Sequence, residues 1–248
     1  MEGLKEALKY LADMGANSEK TEVIEICGKT YANRKLERYD TSKKACAMNT
    51  KTLSSLVEYM ERCSSEFPER QMIVHVEEPK TVVLKSGLDA ERERESLMIV
   101  SAETSEFRFD SWYDQERFMI ELQANFQKTD DLELILKAAG NIDKKNSQAY
   151  SDDGISQVAT MTVGVATKAD VIVPNPVRLT PYRTFQEIEQ PSSDFVFRIG
   201  NEDEPTFKLV EAQNGIWKNE AIERIKSYIR AALEKFPDDL REQIIVIG

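Results

Sequence analysis

Apolar residues recur along this chain in two periods, and the alternation between them predicts its elements. Leu4, Leu8 and Leu11 are spaced by four and three with Gly15 as a stop, which predicts a short amphipathic helix over residues 3–14. Val23, Ile24 and Ile26 predict a strand that turns at Gly28, and residues 49–63 return to helical spacing through Leu53, Leu56, Val57 and Met60. Strands at 72–76 and 81–84 flank Glu77-Glu78-Pro79-Lys80 and read as a hairpin, and Leu97 to Val100 is apolar again. Ser111 and Asp114 stand at capping-box spacing before a helix whose buried stripe is Phe118, Met119, Leu122 and Phe126. A second helix, 131–139, carries Leu132, Ile135, Leu136 and Ala139 and opens on acidic residues that suit its dipole.

Beyond it the texture changes. Residues 141–154 are polar and end on Asp152-Asp153-Gly154, which predicts a linker or long loop. Residues 156–200 are rich in Val, Thr, Ile and Phe but are broken by Pro174, Pro176, Pro181 and Pro191, so several strands are expected with prolines at ends or edges. Phe195, Phe197 and Ile199 alternate with Val196 and Arg198, and Phe207 to Val210 adds another strand. The longest helix is expected over 217–236, where Ile222, Ile225, Ile229, Ala232 and Phe236 form a seam too short for a coiled coil and suited to packing on the domain's own sheet. Ile244 to Ile247 is an apolar strand that has to pair with something. With no regular βαβ rhythm, the expected class is α+β: a mixed or mainly antiparallel sheet, several helices, and a long C-terminal helix followed by a terminal strand. The expected organisation is an N-terminal helix or arm (1–20), an α+β region (21–142), a linker (143–154) and a strand-rich region with the C-terminal helix (155–248), the last able to join 21–142 in one domain.

Charge and chemistry narrow the functions. The 248 residues hold 33 basic and 44 acidic side chains, a net charge of −11, which argues against general nucleic-acid binding because that affinity rests on Lys and Arg neutralising phosphates. A local basic run exists at Arg34 to Lys44. No run of 18 apolar residues is present and the first residues lack the apolar core of a signal peptide, so neither a membrane span nor export is expected. Cys27, Cys46 and Cys63 fit reduced thiols better than a disulfide frame. The single histidine, His75, removes every multi-histidine metal site, and strand alternation sets it opposite Val74 and Val76, with Ile73, as a structural residue.

Three motif fragments fall short of a site. Gly28-Lys29-Thr30 is half a phosphate-binding loop, with Val23 where the first glycine is required. Glu78 and Lys80 have the spacing of a nuclease carboxylate and lysine, a pair that chance supplies about three times in such a composition. The acidic pairs at 130–131 and 238–239 read as helix starts, and the pair at 152–153 as a turn. No catalytic residue, metal site or cofactor is expected.

Residues 109–118 (FDSWYDQERF), 152–157 (DDGISQ), 173–177 (VPNPV) and 181–185 (PYRTF), with the helix at 53–59, resemble a family of proteins of the YfdQ-like type encoded by tailed phages and prophages. The likeness spans about Val23 to Gly248. It implies phage or prophage origin and a place in the host bacterial cytoplasm, and it assigns no chemistry to any residue.

The first expectation is therefore a non-enzymatic protein working as a homo-oligomer, structural or self-assembling into a ring or shell. The second is a phage accessory or anti-defence protein that binds a nucleotide or host factor. Arg34, Arg38 and Tyr39, or Trp112, Tyr113 and Arg117, would supply the stacking rings and guanidinium groups. The third, a metal-dependent hydrolase or nuclease, rests on scattered carboxylates.

Overall fold

A computed structural model describes residues 2–18, 21–26, 29–32, 44–104, 107–141, 156–163, 167–201 and 204–248. The linker expected at 143–154 and the turn at Gly28 lie outside them. The chain forms two compact units, Met1–Lys44 and Ala45–Gly248. The first holds α1 (Glu2–Ser18) and an antiparallel hairpin of β1 (Val23–Ile26) and β2 (Lys29–Ala32). The hairpin thus groups with the N-terminal helix and not with the region expected to begin at residue 21.

The second unit begins with β3 (Met48–Thr50) and α2 (Leu53–Arg62). The helix starts later than its apolar spacing suggests, because Thr52 is extended and its hydroxyl accepts from the Ser55 amide at 3.3 Å. Strands β4 (Met72–Glu78), β5 (Thr81–Ser86) and β6 (Ser96–Ser101) follow as a meander. Then come β7 (Tyr113–Asp114), α3 (Gln115–Asn125) and α4 (Asp130–Gly140). Asp114, not Ser111, caps α3: β7 pairs with a later strand and keeps the chain extended through Asp114, whose carboxylate accepts from the Arg117 amide at 2.8 Å. Thr129 caps α4 in the same way, with three acidic residues in the first turn.

The remaining elements are β8 (Ser156–Val163), β9 (Thr167–Pro174), β10 (Val177–Leu179), β11 (Ser193–Asn201), β12 (Pro205–Glu211), α5 (Trp217–Leu233), α6 (Asp238–Gln243) and β13 (Ile244–Ile247). The class is α+β. One sheet runs β13-β4-β5-β6-β3, with its outer pairs parallel and its inner pairs antiparallel; the other, β10-β11-β12-β7, is antiparallel throughout, and β8 and β9 form a separate ribbon.

Each of the two larger sheets has its own core. The first packs α2 and α5 on the five-stranded sheet through Leu53, Leu56, Met60, Val74, Leu84, Val100, Ile225 and Ile229. The buried stripe of α5 is Ala221, Ile225, Ile229 and Leu233, spaced by four, so Ile222 and Ala232 fall at the margin of the seam expected from the sequence. Phe236 lies past the end of the helix and is still buried. The apolar strand β13 finds its partner within the chain: Ile244 to Ile247 run parallel to Met72 to His75.

The second core joins α3 and α4 to the four-stranded sheet and is rich in aromatic rings. Phe118 stacks at 5.2 Å on Phe207 and at 6.0 Å on Phe197, and Phe107 meets Tyr113 at 5.2 Å. Aromatic pairs of this geometry add to the area they bury. The chain leaves the first core after β6, builds the second, touches the first again through Phe185 and Ile188, and returns to it through α5 and β13, so Ala45–Gly248 form one compact unit.

Candidate functional site

Two features of the chain offer chemistry to a partner. The first is the surface of the N-terminal unit. In α1, Leu4 is 70% exposed, Leu8 59% and Leu11 62%, and Tyr10 and Met14 are also exposed. In the hairpin, Val23, Ile24, Ile26 and Tyr31 are all at least half exposed. None of the side chains described in this unit is buried. Its 44 residues carry nine basic against eight acidic side chains, while the remaining 204 carry 24 against 36. The N-terminal unit is thus close to neutral, and the body holds the negative charge.

The second feature is the loop between β10 and β11, which joins the two cores of the body. Phe185 and Ile188 belong to the first core, whereas Pro181 bridges to Phe126 in the second and the Tyr182 amide donates to the Asn125 carbonyl at 2.9 Å. The buried side chain of Gln190 holds the loop from inside. Its oxygen accepts from the amides of Arg183 and Thr184, and its nitrogen donates to the carbonyls of Phe185 and Ile188. The Thr184 hydroxyl donates to the Pro79 carbonyl at the β4–β5 turn.

Arg183, 6% exposed, is the charged pin of this junction. Its guanidinium donates to Glu211 at the end of β12 at 2.9 Å, to the Pro191 carbonyl and to the Ser193 hydroxyl, and it lies 4.1 Å from the ring centroid of Trp217 at the start of α5. Burial pulls the guanidinium below its ordinary pKa and the Glu211 carboxylate opposes that shift. The ion pair and the stacked indole therefore tie α5, β12 and the loop together.

Beside the loop lies a cavity of about 520 Å³ lined by Glu103, Thr104, Asn125, Gln127, Tyr182 and Gln186 among others. A second, of about 340 Å³, shares Glu103 and Gln186 with it and reaches Lys51 and Ser54 at the start of α2. The two form one groove across the junction. Sequence patterning missed Gln127, Tyr182, Gln186 and Gln190, since isolated amides in a proline-bounded loop carry no periodic signal. The PYRTF stretch was visible only as a resemblance.

The ligand-binding residues expected from the sequence fall in three places. Arg34, Arg38 and Tyr39 lie outside the described residues. Tyr113 is buried at 7%, its ring stacked on Phe107 and its hydroxyl engaged with the Arg108 backbone, so it offers no face to a base. Arg117 lies over the Tyr113 ring at 5.8 Å and within 3.8 Å of Glu121. Trp112 is exposed, but Lys208, itself paired with Asp110, lies 4.9 Å from its ring centroid. The structure gathers Trp112, Tyr113 and Arg117 near one end of β7 without leaving them a shared open face.

His75 stands half-buried on β4 with Val74 and Val76 turned into the core. Its Nδ1 is 3.3 Å from Glu77, and Lys85 donates to the same carboxylate at 2.5 Å. The Lys85 hydrogen bond, aided by the charges of Lys85 and His75, holds the Glu77 carboxyl below its ordinary pKa. A depressed folded-state pKa gives stability that is present above the ordinary value near 4.5 and is lost as pH falls through the folded value. Glu77→Gln is therefore expected to lower the Tm slightly at neutral pH, with the difference from the wild type closing in acid. Thermal melts of both proteins from neutral pH down to about pH 3 check it.

Among the described residues, no group of three or more His, Cys, Asp or Glu side chains could hold a metal ion, and no helix is long and apolar enough to cross a membrane. Comparisons of the chain with protein-family models, with curated proteins and with solved structures each return no match.

Proposed function

We propose that this is a non-enzymatic, phage-encoded protein of the host bacterial cytoplasm that works as a homo-oligomer assembled through its N-terminal 44 residues. One observation carries the reading: α1 and the β1–β2 hairpin hold nine large apolar side chains at half exposure or more, with no buried residue described among them. A segment of this size buries too little of itself to be stable alone, so its folded form calls for a partner surface.

A second copy of the same segment fits best. The bodies, with 36 acidic against 24 basic side chains, repel one another, whereas two nearly neutral N-terminal units approach without that cost. The leucine stripe of α1 suits packing against its own copy, and its Lys5 and Lys9 are balanced by Glu2, Glu6 and Asp13. The nine side chains offer on the order of 800 Å² per copy, the share each partner gives to a standard-size interface. Phage origin rests on the sequence resemblance alone.

Light scattering on the purified chain is expected to give a multiple of 28.3 kDa. Leu8→Glu combined with Leu11→Lys is expected to reduce that mass to the monomer while the body keeps its melting transition. A monomeric wild type, or a variant with unchanged mass, sinks the reading.

A further inference from the structure

We propose that the junction groove binds a neutral, hydroxyl-rich ligand: a carbohydrate of one to a few sugar units. Its shape is set before any ligand arrives, because Gln190 makes four hydrogen bonds inside the loop and Thr184 and Tyr182 anchor it to the two cores. A loop backbone held this way loses little freedom on binding, so the ordering cost falls on the lining side chains. Its lobes, about 520 and 340 Å³, lie within the range of small-ligand sites.

The lining selects the chemistry. The side-chain amides of Gln127 and Gln186 and the Tyr182 hydroxyl line the groove without a hydrogen-bond partner among the described residues. The Asn125 amide nitrogen is spent on Glu121, which leaves its oxygen to accept. A carboxamide presents a donor and an acceptor side by side, and so does each sugar hydroxyl with its neighbour, so the two match in pairs. The Tyr182 ring adds an aromatic surface of the kind that the apolar C–H face of a pyranose covers.

Charge argues against an anion in the same place. Glu103 and Glu187 face the groove against Lys51, which stands 3.8 Å from Glu103. The N-terminus of α2, which would otherwise attract a phosphate, is already occupied: Glu187 accepts from the Ser54 amide at 3.2 Å and from its hydroxyl at 3.4 Å. A phosphate-bearing ligand would meet a carboxylate where it needs a donor.

The test is titration calorimetry or ligand-observed NMR on the full chain with maltose, cellobiose, lactose and N,N′-diacetylchitobiose, alongside inorganic phosphate and AMP. The expected result is saturable binding of at least one disaccharide, with a Kd of millimolar order or tighter, and none of phosphate or AMP. Tyr182→Ala and Gln186→Ala are each expected to weaken it about tenfold. Both side chains are exposed and neither is part of the buried clamp, so the variants should melt with the wild type. No binding across the four sugars, binding that the two variants leave unchanged, or binding of phosphate or AMP in their place each overturns the proposal.

Discussion

Phe118→Ala is expected to destabilise the protein by about 3–5 kcal/mol, the range for deleting a fully buried aromatic ring. Phe118 has no exposed surface and stands at the centre of the second core, with Phe197, Phe207, Tyr113 and Phe107 all within 6.5 Å ring to ring. Stacked rings are rigid and cannot slide into the space that truncation leaves, so the cavity persists and its cost adds to the lost burial. For a chain of this length the Tm should fall by roughly 6–20 °C. Ile120→Ala, two residues on in α3 but 57% exposed, should move it by less than about 2 °C. Calorimetry on the two variants checks the contrast, and equal effects would mean that α3 does not bury Phe118 while exposing Ile120.

Arg183→Ala is expected to have an effect of similar size for an electrostatic reason. Removing one partner of a fully buried ion pair costs about 3–5 kcal/mol. Glu211 keeps a quarter of its side chain exposed, so the lower end of that range is expected from the charge, with the lost packing added to it. Here the change would strand Glu211, remove the donor to Pro191 and Ser193, and leave a gap under the Trp217 ring. Arg183→Lys should recover little, since an ammonium cannot bridge Glu211, Pro191 and Ser193 while lying flat on an indole. Adding Glu211→Gln to Arg183→Ala should restore part of the loss, and the coupling read from the four-protein cycle should be about 1–3 kcal/mol. Additive losses would show that Arg183 acts through packing alone.

These two sites show what could be read from residue order and what could not. The alternation around Phe195, Phe197 and Ile199 reported a strand with an apolar face, because a pleat repeats every two residues whatever it packs against. The side of β4 that carries His75 was legible for the same reason. Asp114 was harder to place: Ser111 offered an equally good spacing, and only the pairing of β7 with β12 decides which residue is the last extended one. The shift of the α5 stripe to Ala221 and Leu233 depends on the sheet beneath it.

The groove was the least legible part. Its walls come from the end of α3, the segment after β6, the start of α2 and the β10–β11 loop, and it exists only because two cores formed from interleaved stretches of chain meet there. Gln190 carries no sign in the sequence that it would be a buried clamp; a glutamine in a loop reads as solvated until its four partners are seen. The apolar positions of α1 were plain from the outset, whereas their exposure was not, since periodicity reports a stripe and not what covers it.

The return of the chain from the second core to the first also bears on how the protein folds. The residues of the second core all fall between 107 and 209, a span that lends Phe185 and Ile188 to the first core, while the first needs α5 and β13 to come back to strands made much earlier; the Gln243 side chain donates to the Pro68 carbonyl, 175 residues away. Closing so large a loop is slow compared with pairing neighbouring strands. Pulse-labelled hydrogen exchange should accordingly find the amides of β11 and β12 protected before those of β13, and substitutions in β13 should speed unfolding while leaving the folding rate nearly unchanged.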